Sequence, residues 1–275
     1  MIKKILSMAK GFLGFLFSIW QNRYLLSQLV RRDFKSRYLG SYLGLFWAFV
    51  QPAVSIMVMW FVFTFGFKAG KVDNNVPFML WLVLGMFPWF FISECITGAS
   101  SVLLEYSYLI KKINFKPSII PLIKIISALI IHVFFIFVSV IFCIAYGFYP
   151  DIHWLQVFYY LFSAIVLLIG IGWLTSSLTI FVKDIGQIVG VSMQIMFWAT
   201  PIFWSFKMLP GKLLLLFKLN PFFYITEGYR NSFIYEQWFW NNWAWSLYYW
   251  GITMIIFFLG SIVFFKLRPH FADVV

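Results

Sequence analysis

SYLGLFWAFVQPAVSIMVMWFVFTFGF, residues 41–67, holds no charged side chain. Directly before it stands RRDFKSRYLG, residues 31–40, with four cations (Arg31, Arg32, Lys35 and Arg37) in seven positions. A helix needs about 20 apolar residues to cross the roughly 30 Å hydrocarbon core of a bilayer. The charge-free run 38–67 meets that length, and so do the runs 74–93, 125–150, 152–182, 185–206 and 237–265. The sequence therefore predicts an all-α integral membrane protein with six transmembrane helices, at 42–66, 76–98, 122–147, 155–181, 187–204 and 243–265.

Composition agrees. The chain has 275 residues, of which 63% are hydrophobic and only 11% charged, against about 25% charged in soluble domains. A membrane β-barrel would alternate apolar and polar residues over about ten positions, whereas IIHVFFIFVSVIF (130–142) is apolar on every side. The net charge of +12 raises nucleic acid as a partner, but its placement argues against that. With both termini on the cytoplasmic side, segments 1–40, 105–124, 183–184 and 266–275 hold 15 of the 21 Lys and Arg. That asymmetry follows the positive-inside rule, and such cations face anionic lipid and cytoplasmic partners.

The basic stretch belongs to an amphipathic segment. Leu25, Leu26, Leu29, Val30, Phe34 and Tyr38 recur at spacings of three and four, with Gln28, Arg31, Arg32 and Lys35 on the other face. Asp33 and Arg37 stand four apart, where helix neighbours pair. Residues 1–40 are read as a retained cytoplasmic interfacial segment, apolar face toward the bilayer. The segment 103–121 carries a short cytoplasmic helix over 104–113 before two prolines. The segment 205–242 differs from every span, because its apolar patches of about ten residues are too short to cross. Two short re-entrant outer helices are expected there, 212–219 and 222–235, the second with Asn220 as N-cap and Pro221 at the first helical position. Trp238, Trp240, Trp243, Trp245 and Trp250 form an outer aromatic belt.

Catalytic patterns are missing. GFKAGKV (66–72) has one residue too few between its glycines for a phosphate loop and lacks the Ser or Thr after the lysine. Neither HExxH nor GxSxG occurs, and no two of the nine acids lie three or four residues apart. Cys95 and Cys143 lie within predicted spans, and His132, His153 and His270 are isolated, so no metal or disulfide spacing emerges. The chain is therefore no enzyme alone and draws its energy from elsewhere. Glu94, inside a span, is a functional candidate by position; a structural pair with Lys111, Lys112 or Lys124 is the favoured alternative. The aromatics Phe87, Trp89, Phe90, Phe91, Phe197 and Trp198 read either as helix packing or as a translocation path that stacks on sugar rings.

Four stretches in order, RRDFKSRYLGSYLGLFWAFVQP, LGMFPWFF, FVKDIGQIVGVSMQIMFWATPIFW and KLNPFFYITEGYRNSFIY, resemble the membrane subunit of type-2 ABC exporters of cell-surface polysaccharides. The likeness spans essentially the whole chain. VPFMLWLVLGMFPWFF, EGYRNSFIY and RPHFADVV are most similar to wall teichoic acid permeases, while the KDI turn, the TPI element and the NP motif are shared with O-antigen permeases, and capsule exporters are also similar. The resemblance implies a homodimer in the cell membrane with two copies of a separate ABC ATPase, moving a lipid-linked polysaccharide outward. It implies no cofactor on this chain, the ATP and Mg being used by the ATPase, and no nucleic-acid partner. Residues 24–39 would be a gate helix at the substrate entrance, with Arg31, Arg32, Lys35, Arg37 and Tyr38 toward the lipid head. Residues 104–113 would couple to the ATPase through Tyr106, Tyr108, Lys111 and Lys112. Residues 212–235 would line the outer exit with Lys212, Lys218, Tyr224 and Arg230. The rival readings are a membrane glycosyltransferase or acyltransferase, and a transporter working alone.

Overall fold

A computed structural model describes residues 17, 19–38, 44–72, 76–111, 116–208 and 210–274. The far N-terminal segment 1–16 and Lys112 lie outside the described residues. Helix α1 (Arg23–Tyr38) precedes α2 (Trp47–Phe61), which carries Pro52 and runs on through a π turn, Val62–Gly66. A two-residue hairpin, β1 (Lys71–Val72) with β2 (Val76–Pro77), closes the outer turn into α3 (Phe78–Glu105). The short α4 (Ser107–Ile110) leads to α5 (Ile120–Ala145), then α6 (Gln156–Thr179) and α7 (Asp184–Ala199). Two short helices follow, α8 (Gly211–Lys218) and α9 (Pro221–Phe233), then α10 (Trp243–Leu267) and a terminal turn, α11 (Phe271–Val274).

Among the described residues, five helical segments are long and apolar enough to cross a membrane: Gly44–Gly66, Phe78–Glu105, Pro117–Ala145, Ile152–Thr179 and Trp243–Val274. The expected span at 187–204 differs. Its helix is the 16-residue α7, which rises about 24 Å and falls about one turn short of the hydrocarbon thickness. Thr200 takes an extended conformation, and Pro201 ends the helix because the residue before a proline is driven out of the α region. The second expected span, 76–98, extends instead to Glu105, since nothing between Thr97 and Leu104 breaks the helix. Over the segment expected as a coupling helix, 104–113, the described residues hold the end of α3 and the single turn of α4, set apart by the non-helical backbone of Tyr106.

Helix α3 is the centre of the bundle, with 78% of its apolar window buried, whereas the window containing α2 is only 11% buried. In a bilayer no hydrophobic force drives helices together, so close approach depends on small residues. Helices α6 and α10 meet in this way. A Cβ built on Gly260 would lie 2.1 Å from the Gly170 carbonyl oxygen, and one on Gly170 would lie 2.7 Å from the Phe257 Cα.

Candidate functional site

Two polar assemblies stand at opposite ends of the bundle, called inner and outer after the sides that the sequence reading assigns to them. At the inner end, α1 lies with Leu26, Leu29 and Val30 buried and Arg31, Arg32 and Lys35 exposed, as its periodicity predicts, but the buried face packs on α3 and α5 and not toward the bilayer as expected. Asp33 shares the buried face and is fully enclosed. An enclosed carboxylate must be paired, and three groups surround it. Lys124 Nζ stands 2.6 Å from Oδ1, Arg37 Nε 3.1 Å from Oδ2, and the Tyr106 hydroxyl donates to Oδ1 at 3.3 Å. Lys124 also reaches Glu105 at 2.7 Å, and Arg37 Nη1 reaches Glu94 Oε1 at 2.5 Å. Burial first, then the charges on Asp33 and Glu105, push the Tyr106 phenol well above its ordinary value, so it stays a neutral donor. On the solvent side Arg32 Nη1 donates to the Tyr108 hydroxyl at 3.1 Å, its guanidinium 5.3 Å from that ring's centroid.

The sequence pointed to Glu94 but not to its partner. The partner is Arg37 of α1, not Lys111, which is exposed, and not Lys124, which serves Asp33 and Glu105. Glu105 and Lys124 were missed as members of one cluster. Their signal was that each is a charge at the edge of an apolar run. Tyr38 lies in α1, with its side chain outside the described residues.

The expected path aromatics separate into two groups. Phe87, Trp89 and Phe91 are buried in this chain. Phe87 stacks on Phe135 at 4.6 Å, Phe91 stacks on His132 at 4.6 Å, and Trp89 packs edge-on against Phe222. In this chain these three rings pack helices together. Phe90 and Phe197 are half-buried, and Trp198 is exposed on α7. Helix α7 exposes Gln187 and Gln194 on one side along with Val191 and Trp198, and Ile188, Ser192 and Ile195 further round. His132, read as isolated, bonds the Tyr229 hydroxyl at 2.7 Å and ties α5 to α9.

At the outer end Arg230 corrects its expected role as an exit cation. It is fully buried. Its guanidinium donates to the carbonyl oxygens of Trp81 (3.2 Å), Pro201 (2.7 Å) and Ile202 (2.7 Å), pairs with Glu227 at 3.2 Å and covers the Trp81 ring. The broken backbone after α7 needs donors for its carbonyls, and the planar guanidinium fork supplies them. Gly85 makes room, since a Cβ there would stand 2.3 Å from Arg230 Nη2. Asn220 caps α9 by accepting from the Phe222 amide at 3.0 Å, and its own amide reaches Thr200 Oγ1 at 2.8 Å. Of the other expected exit residues, Lys212 is exposed, while Lys218 lies 4.9 Å over the Trp245 ring. Tyr224 donates to Ser246 Oγ at 2.9 Å.

Comparison with known proteins agrees with the arrangement. Residues 24–234 match the ABC-2 type transporter family. A Klebsiella pneumoniae protein described as an O-antigen export system permease protein, RfbA, is 27% identical over 268 residues, covering 95% of this chain and 96% of the relative. A Myxococcus xanthus protein of the same description is 24% identical over 263 residues, with 93% and 96% covered. The finer expectation of a wall teichoic acid permease finds no support in these relatives, which favour the O-antigen alternative.

Proposed function

The chain belongs to the ABC-2 type transporter family, as a polysaccharide-exporter permease that works with an ABC ATPase and is not catalytic alone, and on that premise we propose that it exports a lipid-linked O-antigen-type polysaccharide. The single observation that carries the mechanism is the joint between α1 and the segment 106–110. Tyr106 bonds Asp33, and Tyr108 bonds Arg32. A push on α4 from a seated ATPase therefore moves α1 through two side-chain contacts, with no intervening element. Arg31, Arg32 and Lys35 project beside that joint, where charge-assisted bonds hold a phosphate-bearing lipid head.

In this reading both termini face the cytoplasm, and ATP and Mg act on the partner subunit. Two copies of the chain assemble face to face. The sparsely covered α2 and the uncovered α7 support that assembly, because Gln187 and Gln194 share one side of α7 and are poorly matched to hydrocarbon. Between those faces Phe90, Phe197 and Trp198 flank the polymer.

Vesicles containing the chain, its ATPase and a pyrophosphate-linked glycolipid test the proposal. Outward movement of glycan is expected only with ATP and ATPase together. Movement with the chain alone, or none with the full set, overturns it. A conjoint Arg31→Gln, Arg32→Gln and Lys35→Gln variant is expected to assemble or export at least about tenfold less well, since it removes several charge-assisted contacts.

A further inference from the structure

At the outer end a cleft of about 200 Å³ opens between the turn at 206–208, α9 and the loop at 234–242. Tyr160, Phe223, Tyr224, Trp238, Phe239 and Trp245 form its aromatic walls. Glu227, Asn231, Gln237 and Asn242 place a carboxylate and three amides on the same surface, with Lys207 and Lys218 at one side. The volume is below the roughly 300–1,000 Å³ of pockets that enclose drug-sized molecules, which suits one ring-sized group.

We infer that this cleft binds a pyranose ring of the exported glycan, as a holding site at the exit. A sugar ring presents an apolar C–H face and a rim of hydroxyls. The cleft has the matching pair of surfaces, flat aromatic walls beside amides that donate and accept and a carboxylate that accepts. An acyl chain would displace water from those polar groups without replacing its hydrogen bonds, which is costly.

The walls are fixed in advance. Gln156 of α6 clamps the loop from both sides. Its amide nitrogen donates to the Gln237 carbonyl at 2.8 Å, and its carbonyl accepts from the Phe239 amide at 3.1 Å. Tyr159 stacks on Phe239 at 3.9 Å, and Trp238 stacks on Trp240 at 4.4 Å. Behind them runs a hydrogen-bonded ladder from Trp250 to Tyr159, Tyr224, Ser246 and the Phe239 carbonyl. Rings locked by such support lose little freedom when a ligand arrives. The charge balance favours a sugar with an acidic substituent. Lys218 stands beside the cleft over Trp245, and the lining carboxylate, Glu227, is itself bridged to Arg230.

The identity of the sugar's source rests on the export reading, but the binding test does not. The full chain in nanodiscs, without ATPase, is titrated with methyl β-D-glucopyranoside and methyl β-D-glucuronide, and saturation transfer to the ring protons is read. Both are expected to bind weakly, the glucuronide more tightly. Trp238→Ala and Trp245→Leu are each expected to weaken binding about fivefold, the weight of one ring contact. Asn242→Ala, at an exposed position, gives a milder loss and covers the case in which a tryptophan variant unfolds. Lys218→Gln is expected to erase the preference for the glucuronide. No saturation of either pyranoside, or equal binding in the double tryptophan variant, overturns the inference. So does displacement by inorganic phosphate alone, which reassigns the cleft to a lipid head. Export without pyranoside binding sinks the cleft and spares the transporter. Binding without export does the reverse.

Discussion

The inner and outer ends of this chain solve the same problem, polar groups at the edge of hydrocarbon, by different means. The inner end joins α1, α3 and α5 through ionised partners, namely Asp33, Lys124, Glu105, Arg37 and Glu94. The outer end uses a single guanidinium saturated by backbone carbonyls, and otherwise tyrosine, serine and amide bonds among stacked rings. Glu94 and Glu105 retain 31% and 44% exposure, so water can replace a partner at modest cost. Arg230 has no such exchange, because it is fully enclosed. The inner cluster is built to hold parts that shift, and the outer staple to hold parts that do not.

The largest effect should come from breaking the staple. Arg230→Ala strands three carbonyls and Glu227, and is expected to cost about 3–5 kcal/mol, read as lost yield and lowered melting in detergent. Arg230→Lys should fail similarly, since an ammonium cannot span three acceptors in one plane. Gly85→Ala pushes on the same guanidinium from the other side, and overpacking there should cost about 1–3 kcal/mol.

The inner cluster should respond less, and in a way that separates stability from transport. Asp33→Asn is expected to cost about 1–3 kcal/mol, because Lys124 keeps Glu105, and to speed hydrogen exchange in α1. A paired Asp33→Leu and Lys124→Met change should recover stability, as apolar replacements of buried ion pairs often do, while export stays lost. Recovery of export as well would show that the joint carries no motion. Neutralising Arg31, Arg32 and Lys35 together should leave melting within about 0.5 kcal/mol, since exposed charges stabilise little.

The smallest effect lies in the outer turn. Hydrogen bonds from His153, then from the Ile152 amide, hold the Asp151 carboxyl below the usual Asp range. A depressed folded value means a contribution present above the unfolded value and lost as pH falls through the folded one. Asp151 is exposed, so Asp151→Asn should leave the melting difference between neutral pH and about pH 3 almost unchanged.

Much of the architecture was legible in the residues. Uncharged runs of 20 or more announce helices in a bilayer, because few charges are tolerated there. The α1 stripe, the Asp33–Arg37 pair and the Asn220 cap depend on neighbours within four residues, so spacing alone revealed them. The short α7 was less legible, because 185–206 carries no charge and only Thr200-Pro201 marks where the helix stops. The roles of Phe87, Trp89 and Phe91 were undecidable from spacing, as an aromatic in a span looks the same whether it faces a neighbouring helix or a polymer.

Local rules, then, determined a membrane-embedded helical chain with a basic amphipathic helix, short outer helices and no catalytic apparatus. Tertiary packing alone decided that Lys124 answers Asp33 across 91 positions, that Arg230 is a staple and not an exit cation, and that Gln156 pins a loop 81 positions away. The physical reason is distance along the chain. A buried charge takes whichever partner the fold brings within about 3 Å, and no periodicity in the sequence encodes that meeting.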